Sequence, residues 1–400
     1  MFTQIILAIL TGVVFGIITG LIPGIHINLI SLLVLTFSPI LLQYFSPIII
    51  AIFIISMAIT HTFLDSIPGV YLGAPDEAMA LAALPGHRML LKGYGHHAIL
   101  LTIIGSFISL IICLIASPSL LLLVKAIYPI IKDYIGYILI VIMAFMILKD
   151  SKRKWNFLIF MMSGVLGLIV LNLPNMKNAL FPLLSGLFGF SILIISLMGK
   201  NSIPEQKNDE ELEVEKKDLA KASIGASIVG FMASFLPGFG SSQAAIVATQ
   251  FLKDIGDKGF LVLVGGINTV NMTLSLITLY ALEKSRNGAV IVISEIVGAI
   301  SLENLAVLFL AALIAGCSAV WFAAYFSKLF SVMIVKVNYM AVVISILLFT
   351  AALVFYFDGF IGIIILITSA AVGIFAGQLG VGKNHCMACL IVPVILYFVM

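Results

Sequence analysis

Leu21-Ile22-Pro23-Gly24-Ile25-His26-Ile27-Asn28 interrupts a long apolar run near the start of the sequence. Phe235-Leu236-Pro237-Gly238-Phe239-Gly240-Ser241-Ser242 interrupts another one just past its middle. Proline removes a backbone donor and clashes with the preceding turn, and the glycine behind it is conformationally loose. A helix that arrives at either point must break. In hydrocarbon, broken backbone is tolerated only where protein buries it or where it lines a polar cavity. Two such breaks, at matching places of two half-chains, are the sequence pattern of a transporter binding site.

The likeness extends upstream. Gly12, Gly16 and Gly20 precede the first break, and Ala226, Gly230 and Ser234 hold the same places before the second. Small residues at every fourth position make one helix face that another helix can approach closely.

Composition sets the surroundings. The chain of 400 residues is 62% hydrophobic and 10% charged, with a mean hydropathy of +1.24. A soluble fold has no way to bury that much apolar surface. At about 20 apolar residues per span, an all-α polytopic membrane protein of roughly ten to twelve spans or half-spans is predicted, embedded in the lipid bilayer of the cell membrane. A net charge of +3 gives no footprint for nucleic acid. No Walker-type glycine loop is present, so the sequence does not point to ATP as the driver, and no cofactor beyond a coupling ion is expected. Cys113 and Cys317 lie in apolar runs and read as packing residues. His385, Cys386 and Cys389 have metal-ligand or redox spacing, but one such pair is a weak signal, and no metal site is assigned. Met1-Phe2-Thr3-Gln4 lacks a basic region and a cleavage site, and reads as the start of a retained first span.

In chain order, apolar arms at 5–22 and 26–43 flank the first break, and a span at 48–66 ends at a further Pro-Gly, Pro68-Gly69. A more polar stretch follows to His96-His97, then spans at 98–117 and 134–148, with an interfacial segment between them. These make a first membrane repeat over residues 1–154. A connecting hairpin occupies 155–198, and a charged, solvated linker occupies 199–221. The second repeat, 222–400, has arms at 222–236 and 241–252 around its break, and spans at 259–282, 303–327, 339–357 and 359–377. A shorter apolar segment, 289–299, also lies in it. The basic cluster Lys149-Asp150-Ser151-Lys152-Arg153-Lys154 is assigned to the cytoplasm. Counting spans from it places the linker inside and the N-terminus outside. The first repeat then starts outside and the second inside, which is inverted topology.

At these residues the chain resembles a known family, the large membrane subunit of the tripartite tricarboxylate transporters (TctA), in a short form like that of archaeal members. The family carries a Pro-Gly break after a small-residue helix near the start of each half, matched here at Leu21–His26 and Leu236–Ser241. Its Asn-x-Pro-Gly and Asp-Gly-x-Pro-Met-x-x-x-Gly elements are similar to Ser66-Ile67-Pro68-Gly69 and to Leu84-Pro85-Gly86-His87-Arg88-Met89-Leu90-Leu91-Lys92-Gly93. Gly266-Ile267-Asn268-Thr269-Val270-Asn271 resembles the family's Glu-x-x-Asn-Asn-Ala run, while the Gly-Ile-Pro-Gly that follows that run in the family is absent. The resemblance implies a permease for a di- or tricarboxylate. It also implies an extracytoplasmic solute-binding protein and a small membrane subunit as partners. A homo-oligomer is compatible with it.

Helix N-termini present unpaired N–H groups and the positive end of a dipole, which suits carboxylate oxygens. The residues at and after the breaks are therefore the substrate candidates: Pro23, Gly24, His26 and Asn28 in one half, and Pro237, Gly238, Gly240, Ser241, Ser242 and Gln243 in the other. Ser and Asn also cap broken helices, and the two roles are compatible. Asn268 and Asn271 sit three apart in an apolar span, on one face, and serve either substrate or helix–helix hydrogen bonding. Asp65, with His61 four residues before it, is the candidate for coupling Na⁺ or H⁺. The sequence thus reads as a secondary transporter of a small organic anion. The alternative is an integral membrane enzyme that uses His61, Asp65 and His96 or His97 on a lipid or small molecule.

Overall fold

The computed structural model describes residues 2–22, 27–73, 79, 81–149, 152–174, 176, 179–198, 204–208, 210, 214–235, 240–252, 255–285, 287–336 and 339–400. Both Pro-Gly breaks, with Pro23, Gly24, His26, Pro237 and Gly238, lie outside these. Among the described residues the secondary structure is entirely helical. Seven of the helices in the described residues are long and apolar enough to cross a membrane, and five shorter apolar helices accompany them there.

The first half contains α1 (Phe2–Leu21), α2 (Ile27–Leu41), α3 (Pro47–Leu64), α4 (Ala83–Leu90) and α5 (Gly95–Ile131). Next come α6 (Ile135–Lys149), α7 (Arg153–Leu171), α8 (Leu180–Leu184) and α9 (Ser191–Met198). The second half contains α10 (Lys216–Phe235), α11 (Ser241–Phe251), α12 (Gly256–Leu282), α13 (Gly288–Val297) and α14 (Leu302–Lys336), then α15 (Tyr339–Gln378) and α16 (Ala388–Val399).

Two apolar cores organise these helices. The larger gathers α1 to α5 with α10 to α14. The smaller is built chiefly from α6 to α9, α15 and α16. In the larger core, α3 and α12 are the inner helices, with 83% and 89% of their most apolar stretches buried, against 39% for α1 and α14. A helix that is apolar on every side belongs inside, and α3 is buried from Ile54 to Leu64 without a gap.

Lipid is as apolar as leucine, so helices here associate through close packing and hydrogen bonds. Glycine permits that closeness. A Cβ at Gly16 would come 2.6 Å from the Met57 carbonyl oxygen, and one at Gly20 would come 2.7 Å from Leu64 Cβ. The small-residue face of α1 thus lies on α3. In the second half, a Cβ at Gly230 would come 2.7 Å from Val270 Cγ1, which lays α10 on α12. Across the halves, α5 packs on α12 and α10, and α14 packs on α3 and α1. The closest crossing is α5 with α12: a Cβ at Gly105 would land on the Val262 carbonyl, and one at Gly265 on the Thr102 carbonyl.

Several boundaries differ from the sequence reading. The expected span 98–117 and the interfacial segment after it are one helix, α5, which runs through Pro118 and Pro129. Helix α4 forms inside the stretch read only as polar. After α3 the chain makes a π-helical turn, Pro68–Leu72, closed by Gly73 at φ +64. Pro68 has no N–H to continue the ladder, so the backbone widens there. Helix α15 contains non-helical backbone at Gly359, φ +61 and ψ −149, which divides it into two apolar arms. Lys383, between α15 and α16, is buried and donates to Ser191 Oγ and to the Leu187 carbonyl at 3.5 Å. Burial holds its amine down at about 8. Cys113, Cys386 and Cys389 are buried, but Cys317 is exposed on α14 and is not a packing residue.

Gly105→Val and Gly265→Val are each expected to push α5 and α12 apart, at a cost of about 1–3 kcal/mol or more. Lipid-facing Val14→Ala (54% exposed) is expected to leave stability unchanged. Thermal unfolding of the detergent-solubilised protein measures both, and wild-type melting of the glycine variants would disprove the close approach.

Candidate functional site

The inner helices α3 and α12 cross at a polar patch. Asn268, near the middle of the 27-residue α12, donates from Nδ2 to Asp65 Oδ2 at 2.6 Å. Asp65 follows α3 directly, with its N–H bonded to the His61 carbonyl at 2.9 Å, and is 3% exposed. Its partner Asn268 thus lies well inside α12 and away from either helix end. A carboxylate in the hydrocarbon interior costs at least ~2.5 kcal/mol on insertion scales. An amide donor at short range offsets part of that cost.

His61 lies on the same side of α3, with Nε2 3.9 Å from Asp65 Oδ2. Its Nδ1 is 3.1 Å from Thr19 Oγ1 on α1. The Thr19 hydroxyl donates to the Gly16 carbonyl, so its oxygen accepts from His61 Nδ1–H. The other ring nitrogen, Nε2, faces Asp65.

Hydroxyls extend the patch. Thr62 donates to the Ile59 carbonyl, so Thr269 donates to Thr62 Oγ1 at 3.0 Å. Thr102 donates to the Ile99 carbonyl, so Ser66 donates to Thr102 Oγ1 at 3.0 Å. Ser106 on α5 reaches the Gly265 carbonyl on α12 at 3.0 Å. One turn along α12 from Asn268, Asn271 Nδ2 donates to Ser241 Oγ at 3.3 Å. Ser241 is the first residue of α11, directly after Gly240.

The flanks of both Pro-Gly breaks therefore meet this patch. On one side, Gly20 packs 3.4 Å from the Asp65 amide nitrogen as measured from an added Cβ. On the other, Ser241 holds Asn271. The register matches as well. Gly16 contacts Thr60, and the next residue of α3 is His61. Gly230 contacts Val270, and the next residue of α12 is Asn271.

The remaining candidates are placed as follows. Ser242 is buried beside Ser241, and Gly240 is partly exposed. The side chain of Gln243 lies outside the description. Asn28 is exposed at the start of α2, against Gly288 of α13, where an added Cβ would come 2.7 Å from its side-chain oxygen. The histidines grouped with His61 in the enzyme alternative have other partners: His96 Nδ1 is 2.9 Å from Ser327 Oγ, and His97 Nε2 donates to the Glu210 carbonyl at 2.8 Å. Among the described residues, no three His, Cys, Asp or Glu side chains gather as a metal group. The hydroxyls Thr19, Thr62, Thr102 and Thr269 give no signal in the sequence, because serine and threonine sit quietly in apolar helices by bonding back to the preceding turn.

The described residues make a helical, multi-pass membrane protein with a carboxyl–amide contact between its two innermost helices, and the transporter class is given by its family. Residues 6–388 match the tripartite tricarboxylate transporter TctA family, and the chain belongs to it. It is also 30% identical over 355 residues to an uncharacterised protein of Methanocaldococcus jannaschii, covering 86% of this chain and 88% of that protein. No solved structure matches.

Asn268→Leu is expected to cost about 1.5–3 kcal/mol by depriving the Asp65 carboxylate of its amide. Asp65→Asn should abolish most of that penalty. A double-mutant cycle by thermal or denaturant unfolding measures the coupling. Additivity within about 0.5 kcal/mol would show that the two side chains do not interact.

Proposed function

We propose that this chain is the permease of a secondary transporter for a small organic anion, a di- or tricarboxylate, with Asp65 and His61 coupling the movement of Na⁺ or H⁺. The observation that carries this reading is the buried Asp65 carboxylate, held by Asn268 in mid-helix between the two halves. Ionisable groups retained at such depth serve ions, protons or charged substrates. In the proton reading, the proton passes between Asp65 and His61 Nε2, which lies 3.9 Å from Asp65 Oδ2. In the sodium reading, Asp65 supplies the charge, and the hydroxyls of Ser66 and Thr62 supply oxygen ligands of the kind hard cations prefer.

The substrate belongs beside the same patch. Ser241, Ser242 and the N-terminus of α11 offer hydroxyl and amide donors, with Asn271 already bonded to Ser241. Carboxylate oxygens fit donors of this type. The reciprocal packing of α5 on α12 and α14 on α3 supports a two-fold relation between the halves, and inverted repeats are part of this proposal. The printed description of the family, a tripartite transporter, supports a solute-binding protein and a small membrane subunit as partners.

The test is uptake of radiolabelled citrate, succinate and malate into proteoliposomes under imposed Na⁺ or H⁺ gradients. The wild-type protein, with its accessory subunits where the genome supplies them, is expected to accumulate at least one of these. Asp65→Asn keeps shape and removes the charge. It should stop gradient-driven accumulation while leaving exchange across the membrane partly intact. If Asp65→Asn accumulates substrate with the wild-type ion dependence, Asp65 is not the coupling group.

A further inference from the structure

The sequence reads 199–221 as a plain solvated tether between halves. Part of it is instead fastened down. The Lys207 amide donates to the Gly93 carbonyl at 2.8 Å. Gln206 accepts from the Gly95 amide at 2.9 Å and donates to the Leu90 carbonyl at 3.2 Å. Its side chain is buried, unusual for glutamine in a charged linker. Glu210 accepts on its carbonyl from His97 and on its carboxylate from the Tyr94 hydroxyl, at 2.8 Å each. Lys207 lies over the Tyr94 ring at 5.1 Å and pairs with Glu210 at 2.8 Å. Gly93 is needed under this strap: its φ is +88, and an added Cβ would come 3.0 Å from the Glu205 carbonyl oxygen.

Beneath the strapped corner is a buried contact between the halves. His96 meets Ser327 of α14 at 2.9 Å, and the Tyr71 hydroxyl donates to the Ser327 carbonyl at 2.9 Å. Tyr71 belongs to the π-helical turn Pro68–Leu72, which begins three residues after Asp65. Ile67, Val70 and Tyr71 are each at most 1% exposed, so the described segment that follows Asp65 is itself buried. Arg88 of α4 reaches Asp257 at the start of α12 at 2.7 Å, a second tie between the halves on the same corner.

We propose that residues 204–208 and 210 form a latch over the Gly93–His97 corner, keeping the Tyr71–Ser327–His96 contact shut and the Asp65 centre closed towards the linker face. The halves separate there only after the strap lets go. Its composition suits that task. The fastenings are main-chain and amide hydrogen bonds at the water boundary, with an exposed ion pair whose strength is low and salt-dependent. A segment held by few buried apolar groups opens more readily than the helices it covers. The latch rests on the reading of Asp65 as the transport centre, but its own test does not require that the substrate be known.

Tyr94→Cys and Glu210→Cys are combined in a Cys317→Ser background and joined with a bis-methanethiosulfonate reagent, which dithiothreitol reverses. Hydrogen–deuterium exchange of residues 65–72 is followed in the reconstituted protein, and citrate uptake is followed in parallel. The link is expected to slow exchange of this segment about tenfold or more, and reduction should restore it. Gln206→Ala, which frees Gly95 N–H and the Leu90 carbonyl, is expected to speed the same exchange about threefold or more. Unchanged exchange in both the fully linked protein and Gln206→Ala would overturn the latch. Exchange that responds as expected, with no citrate uptake by any form, supports the latch and counts instead against citrate as the substrate.

Discussion

One carboxyl group inside a lipid-spanning bundle constrains the rest of this molecule. Asp65 has to be met by other groups, and meeting it requires that α3 and α12 cross closely enough for an asparagine amide to reach a carboxylate at 2.6 Å. Such proximity comes from backbones without side chains between them. The glycines of α1 let α3 be covered tightly on one side, and the Gly105 and Gly265 crossing lets α5 cover α12 on the other. Substituting these glycines would therefore alter the polar centre without touching it.

The energetic logic differs from that of a soluble core. There is little gain in moving leucine from lipid into protein, so the outward surfaces of α1, α6, α7 and α14 remain apolar and exposed. The interior instead holds a band of serine, threonine, asparagine and histidine whose hydrogen bonds run from helix to helix. Several of these hydroxyls also bond to their own preceding turn, which leaves one lone-pair side free to accept from a neighbour. A band of this kind fixes helix register, and it supplies oxygen and nitrogen atoms where an ion or anion would otherwise meet only hydrocarbon.

Much of this was legible in the sequence, and the limits are physical. Gly12, Gly16 and Gly20, with Ala226 and Gly230, announce close helix pairs because their spacing is local. Asp65 and Asn268 are each conspicuous in an apolar run, but they lie 203 positions apart, and only the crossing of two helices makes them partners. The sequence assigned Asp65 to the ion and left Asn268 between substrate and helix–helix bonding, without joining the two. The docking of Gln206 and Lys207 left no periodic trace either, because main-chain and amide bonds impose no pattern on side chains. Asn28 follows the first break as Ser241 nearly follows the second, yet its described neighbour is Gly288 on α13.

The positive φ at Gly359 has a consequence for how the protein sits in its membrane. The arm of α15 beyond that turn rises about 1.5 Å per residue, so from Phe360 to Gln378 it measures one hydrocarbon thickness, about 30 Å. At one end, Phe355, Tyr356 and Phe360 are exposed around the turn, residues suited to the headgroup layer. At the other, Lys152 closes on the carbonyls of Leu379 and Gly380. A rod of this length, with exposed aromatic rings at one end and a lysine clamp at the other, has the dimensions and end groups of a helix that crosses a bilayer once.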